Sequence, residues 1–161
     1  MQVDPLVLYR YTCWANDRVL EGARQLTTEQ LTTPIRPGFH SALGVLAHIM
    51  LAERVWLARW KGVSPQGPLP VDEFSTLDAV QTAWGPLRAE MTGFLSNLSD
   101  TDQVIVSRNT KGQEFQNVLW HLITHVINHG TEHRSQVALS LAMQGIDVGE
   151  LDFVKYVRAQ G

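Results

Sequence analysis

Four segments of this chain repeat their apolar residues at intervals of three and four, and each is bounded by a proline, a glycine or a capping side chain. That period gathers apolar side chains into one stripe of an α-helix, and such a stripe has to be buried against other helices. The first segment covers about 5–26, with Leu6, Tyr9, Cys13, Val19, Leu20 and Ala23 on one face. Asp4 can cap its free N–H groups, and Pro5 has none to leave unpaired. Thr27 and Gln30 have the spacing of a capping box over one short turn, after which Pro34, Pro37 and Gly38 mark a loop. Ser41 starts a second long helix that runs to about Lys61 and is stopped by Gly62 and Pro65. Its Leu46, Ile49, Val55, Trp56 and Trp60 make it apolar almost all round, which predicts a central position.

Residues 62–75 carry three prolines and two glycines, too many for regular structure, and read as a crossover laid over the surface. A third helix is predicted over about 76–98, kinked or broken at Gly85 and Pro86, because proline removes a backbone donor and clashes with the preceding turn. Val104–Arg108, a turn through Asn109, Thr110, Lys111 and Gly112, and then residues 113–115 read as a small hairpin. The fourth long helix begins near Asn117, runs to about Met143 and ends at Gly145; a short fifth helix is predicted near 150–159. The expected architecture is an all-α four-helix bundle with long crossover connections, a small hairpin before the last long helix and a short C-terminal helix. It should form a single domain over 1–161, because 161 residues suffice for one core and fall short of two.

Composition narrows the function. A net charge of −3, with no basic cluster, argues against a protein that tracks phosphates, so no nucleic-acid partner is expected. No stretch approaches a membrane span and the chain starts without a basic, apolar leader, so no membrane partner is expected either. The lone Cys13 cannot bridge within the chain and suits a reducing compartment, which predicts a cytoplasmic location.

The most informative residues are the six histidines, four of which, His121, His125, His129 and His133, recur at intervals of four. Each such step turns about 40° around a helix and climbs about 6 Å, so neighbouring rungs can share one metal ion. Three steps sweep about 120°, so the full ladder cannot. Relative to His129, Leu122 lies about 20° away and Val126 about 60°, whereas Ile127 and Arg134 fall on roughly the opposite side. The ladder therefore borders the core-facing stripe. His48 shares a face of the second helix with Val45, Ala52 and Val55 and should also point inward, where its ring nitrogens need partners. Two adjacent rungs plus His48 would make a three-nitrogen site with a coordination position left open. The plainer reading, hydrogen-bonded face or core histidines, is preferred for His121 and His125, and His40 in the preceding loop is read as solvated. Glu-x-x-His pairs, His-Glu-x-x-His, glycine-rich phosphate loops and Gly-x-Ser-x-Gly are all absent.

Residues 11–16 (YTCWAN), 46–60 (LAHIMLAERVWLARW) and 119–137 (LWHLITHVINHGTEHRSQV) resemble the DinB-like (DinB/YfiT metalloenzyme) superfamily, which is distinct from the DNA polymerase sharing the DinB name. The similarity extends over nearly the whole chain. It implies a four-helix bundle in which one histidine of the second helix and two on the last long helix hold a divalent metal; by motif these are His48, His129 and His133. Where the family often has His or Tyr before the last ligand, this chain has Glu132, and Ser135 stands where glycine is usual after the arginine. Glu132 reads as a solvated surface residue, and the rim and substrate need not follow the family. Characterised relatives use low-molecular-weight thiols such as bacillithiol, mycothiol or glutathione, as transferases or isomerases. The resemblance therefore implies a zinc or nickel ion whose open position takes the sulfur of a thiol cosubstrate, together with a small-molecule substrate. A non-catalytic metal-binding stress-response bundle acting through a partner, or as a homodimer, is the alternative, and a metal-dependent hydrolase is a third reading. Asn16 reads as a helix-surface residue or a site-lining one, Arg134 as half of a structural ion pair, and Cys13 as a small buried hydrophobe. Trp56 and Trp60 are candidates for an apolar wall.

Overall fold

A computed structural model describes residues 4–36, 40–109 and 111–161; the predicted loop positions Pro37 and Gly38 and the turn residue Thr110 lie outside them. Helix α1 (Pro5–Ala23) starts as its sequence dictates, with Pro5 in the first turn and the Asp4 carboxylate accepting from the Leu6 N–H at 2.8 Å. The capping box forms over α2 (Thr28–Thr32): Gln30 N–H donates to Thr27 Oγ1, and Thr27 N–H donates to Gln30 Oε1. Ser41 caps α3 (Ala42–Trp60), accepting from Gly44 N–H at 3.1 Å. A short 3-10 turn at Val71–Glu73 interrupts the crossover before α4 (Leu77–Ser96).

Helix α4 continues through Pro86, so the predicted break is not found. Pro86 and Thr82, whose carbonyl loses its donor, are both exposed, so the freed carbonyl is open to solvent. Strands β1 (Val104–Arg108) and β2 (Glu114–Val118) pair antiparallel with Val106 opposite Gln116, and β2 runs directly into α5 (Leu119–Met143). No side chain caps α5. Its first N–H groups donate instead to backbone carbonyls just before β1, Leu119 N to Gln103 O at 2.9 Å and Trp120 N to Thr101 O at 3.0 Å. The hairpin is thereby bolted to the start of α5. Short α6 (Phe153–Gln160) packs on α1 through an aromatic cluster of Tyr11, Trp14, Phe153 and Tyr156, with Tyr11 Oη donating to Leu151 O at 2.8 Å.

The four long helices form a ring in which α1 touches α5 and α4, and α3 touches the same two. Cross-helix pairs set their directions. Asp17–Arg88 and Arg24–Asp78 make α1 and α4 antiparallel, Glu53–Trp84 and Trp60–Phe94 make α3 and α4 parallel, and His48–His133 with Trp56–His125 makes α3 and α5 antiparallel. Neighbours in sequence thus run parallel or sit across the diagonal, which short turns cannot connect, hence the long crossovers. Leu46, Ile49, Met50 and Leu51 of α3, Trp84 and Met91 of α4, and Leu119 and Leu141 of α5 are buried completely, confirming the central place of α3. Among the described residues no helix is long and apolar enough to cross a membrane.

Among the described residues one acidic side chain lies in this core. Glu53 Oε2 accepts from Tyr9 Oη at 3.0 Å and Trp84 Nε1 at 2.8 Å, joining α1, α3 and α4 at a single atom. Burial pushes the Glu53 carboxyl above its ordinary range, an effect its two donors only offset in part. A folded-state value above the unfolded one means that stability is fully present below about pH 4.5 and is lost as pH rises. Glu53→Gln, which still accepts from both donors, is therefore expected to melt higher than wild type at pH 8 and to match it near pH 4.5. Glu53→Ala should lose about 2–4 kcal/mol by denaturant titration, because it orphans two buried donors.

Candidate metal centre

His48 comes from the middle of α3 between buried Val45 and Ala52, and His129 and His133 come from successive turns of α5. Because α5 lies antiparallel along α3, the three half-buried rings converge, and one nitrogen from each lies within 4.8 Å of the others. His48 Nε2 and His129 Nε2 are 3.1 Å apart, and the His48 ring stands edge-on to that of His133, with 4.7 Å between centroids. Two imidazole nitrogens bound to one tetrahedral ion at about 2.1 Å sit about 3.4 Å apart, so the group needs little movement to hold a metal. An all-imidazole donor set suits zinc, nickel, copper or iron rather than magnesium or calcium.

Hydrogen bonding and burial prepare the donors. His133 Nδ1 lies 2.8 Å from Gln136 Oε1, so a proton on Nδ1 donates to the amide and the Nε2 lone pair is left free. Burial, with the neighbouring imidazoles His133 and His40 adding to it, pushes His48 down to about 4; burial, His133, His48 and His125 do the same for His129. Both rings are therefore neutral at pH 7, the form that can ligate a metal.

The other histidines are placed less uniformly than the ladder suggests. His40, read as merely solvated, stacks on His48 with 6.2 Å between ring centroids and 19° between planes. Gly44 permits that approach, since a Cβ at position 44 would lie 3.2 Å from His40 Cβ. His125 stands edge-on to Trp56 at 5.0 Å, and with His121 it lines a cleft beside the hairpin; neither belongs to the triad.

Two expectations are corrected on the opposite side of α5. Asn16 is fully buried, neither on a helix surface nor at the triad, and its Oδ1 accepts from Arg134 Nη1 at 3.2 Å. Arg134 is only 2% exposed and makes no ion pair among the described residues; it donates to Thr131 Oγ1 at 2.9 Å and lies over the Tyr11 ring. Because α5 packs against α1 as well as α3, its buried arc is wide enough to enclose Arg134. Glu132 is exposed, as read. Cys13 packs half-buried against the core, and burial, with Glu53 adding to it, pushes its thiol up to about 11. Trp56 lines the cleft, whereas Trp60 turns into the core against Phe94. Glu53 and Arg59 belong to no spacing motif in the sequence, although a lone acid inside a helix apolar all round is itself a sign of a buried, partnered carboxyl.

The DinB family model matches residues 1–161 of this chain. Protein DinB of Bacillus subtilis strain 168 is 23% identical over 157 residues, which cover 93% of this chain and 91% of that protein. A crystal structure of a DinB-like protein from Bacillus cereus superposes with a TM-score of 0.65 at 18% identity, covering 89% of this chain and 94% of that one. A conserved protein from Enterococcus faecalis does so with a TM-score of 0.66 at 13% identity, covering 88% and 96%. At these identities the two structures speak to the fold alone.

The depressed histidines give a pH signature in the metal-free protein. Unfolded His48 and His129 take up protons from about pH 6.5 downward and the folded ones resist until about 4, so stability should fall as pH drops through that interval. Melting curves of the His48→Gln/His129→Gln variant should show a flatter decline between pH 6.5 and 4 than chelator-treated wild type; equal slopes would contradict the assignment.

Proposed function

The chain belongs to the DinB family, and on that footing we propose that it binds a divalent metal ion through His48, His129 and His133 and activates a low-molecular-weight thiol for S-transfer or isomerisation. The observation that carries this reading is the convergence of three imidazole nitrogens within 4.8 Å, with no fourth His, Cys, Asp or Glu in the group among the described residues. Three protein donors leave a coordination position for a small molecule, the pattern of a catalytic site, whereas a fourth would close it into a structural one. The chain is also long enough to fold around its own core without a metal to hold it, so a metal there serves chemistry.

Bound at the triad, a zinc or nickel ion would supply Lewis acidity and hold a cosubstrate sulfur as the thiolate, which is the nucleophilic form. The protein's own side chains do the rest. Burial keeps His48 and His129 uncharged, Gln136 fixes the His133 tautomer, and His40 covers the outer face of His48. Cys13 does not compete as nucleophile, because a half-buried thiol pushed up to about 11 carries almost no thiolate at pH 7. The sulfur therefore comes from a bound thiol.

Purified protein is expected to carry close to one zinc or nickel ion per chain by elemental analysis, and His129→Ala and His48→Ala to carry almost none while keeping their helical circular dichroism. Wild-type protein that arrives metal-free and resists loading at neutral pH would sink the proposal. With metal present, glutathione, bacillithiol and mycothiol are the thiols to assay for transfer to a small electrophile, and a metal-loaded protein inert with all three would favour the non-catalytic bundle.

A further inference from the structure

Beside the triad lies a second concave feature, a cleft of about 440 Å3 between the hairpin, the end of α3 and the first turns of α5. Its size is that of a small-molecule site. Trp56 and Phe115 supply flat apolar surface, and Arg59, His121, His125 and Asn117 supply polar groups; among the described residues none that lines it is acidic. In a chain of net charge −3, that local balance is unusual.

Arg59 is the informative residue. Its guanidinium lies 4.7 Å over the Trp56 ring, its Nε is buried with no hydrogen-bond partner, and among the described residues it forms no ion pair. Burial disfavours its charged form, and among the described residues no carboxylate pairs with it to offset that. A partly desolvated guanidinium with an orphaned donor is costly unless something anionic arrives. The cleft's other permanent cation, Arg108, is already paired with Glu114 at 3.3 Å. One uncompensated planar fork matches one carboxylate, and phosphate would need more positive charge than remains.

We infer that this cleft binds a small organic carboxylate, its charge on the free edge of Arg59 and its flat apolar part against Trp56 and Phe115. His125 links the cleft to the triad, with 5.0 Å between its ring and Trp56 and 5.8 Å between its ring and His129. The carboxylate is accordingly the anchor of the substrate on which the metal site acts, an extension that rests on the function proposed above; the binding itself does not depend on the metal.

The test uses sodium benzoate as probe and benzamide as its neutral counterpart, titrated calorimetrically into the full chain as purified and after chelator treatment. Benzoate should bind with a dissociation constant of about 1 mM in both states, benzamide at least about tenfold more weakly, and inorganic phosphate no better than benzamide. Arg59→Gln should lose about tenfold in benzoate affinity while keeping its metal content, and His129→Ala should lose its metal and keep benzoate. The wild-type preference for benzoate over benzamide reads out the proposal even if Arg59→Gln fails to fold. Equal binding of the two probes, no saturable benzoate binding, preferred phosphate, or a folded Arg59→Gln that binds as wild type does would each overturn it. Benzoate binding that vanishes with the metal would also overturn it, by placing the probe on the ion. Failure of metal loading with benzoate binding intact would strike the proposed function alone.

Discussion

The antiparallel contact of α5 along α3 is the interaction on which the rest of this protein depends. It buries the apolar stripe of α5 against the most enclosed helix of the bundle, and in the same register it sets two turns of α5 opposite one turn of α3. That register brings His129 and His133 to His48 and seats His125 against Trp56. A slip of one helical turn, about 5.4 Å, would leave the core apolar and dissolve the triad. The hairpin matters for the same reason. The backbone carbonyls just before it, at Thr101 and Gln103, accept the first N–H groups of α5 and fix where that helix begins, and the hairpin also walls the cleft next to the triad.

Polar groups inside the bundle are handled in two different ways. Glu53 and the Asn16–Arg134 pair are enclosed with hydrogen-bond partners drawn from other helices, although Asn16 Nδ2 is left without one, and they tie α1 to α3, α4 and α5. Such groups stabilise little in net terms, but they specify one arrangement of helices, because any other leaves a buried donor or acceptor unpaired. The histidines and Arg59 are half-buried and incompletely partnered. Three imidazoles with few partners of their own and a guanidinium with an orphaned Nε are poor choices for stability alone. Their cost makes sense if ligands complete them.

Much of the architecture was legible in the residues because local chemistry decides it. Asp4–Pro5, the Thr27–Gln30 box, Ser41 and the glycine-assisted hairpin turn act within a few residues of themselves, and the structure places each where the spacing predicts. Pro86 does not break its helix because the cost of a proline there depends on whether the abandoned carbonyl can reach water, and that depends on which face α4 turns outward. Helical spacing alone does not place Asn16 and Arg134, for a related reason. Helical arithmetic gives the angle of Arg134 from the ligand face, but whether that angle is exposed depends on how many neighbours the helix has. Glu53 and Arg59 belong to no spacing motif, since the hydrogen-bond partners of Glu53 lie 31 and 44 residues away and Arg59 Nε has none, whereas His40 directly precedes the Ser41 cap of α3 and meets a ring of that same helix.

The sequence by itself determined the helices, their caps, the apolar stripe of each, the hairpin, and a ladder of histidines at the edge of a stripe. These follow from the period of 3.6 residues and from side chains acting on adjacent backbone. Only the tertiary structure decided that His48 faces the rungs at 129 and 133 while His125 turns to Trp56, that Glu53 is held by two helices at once, and that Arg59 is left without a counter-ion among the described residues. Those outcomes depend on the register and rotation of one helix against another, which are set by the packing of the whole core.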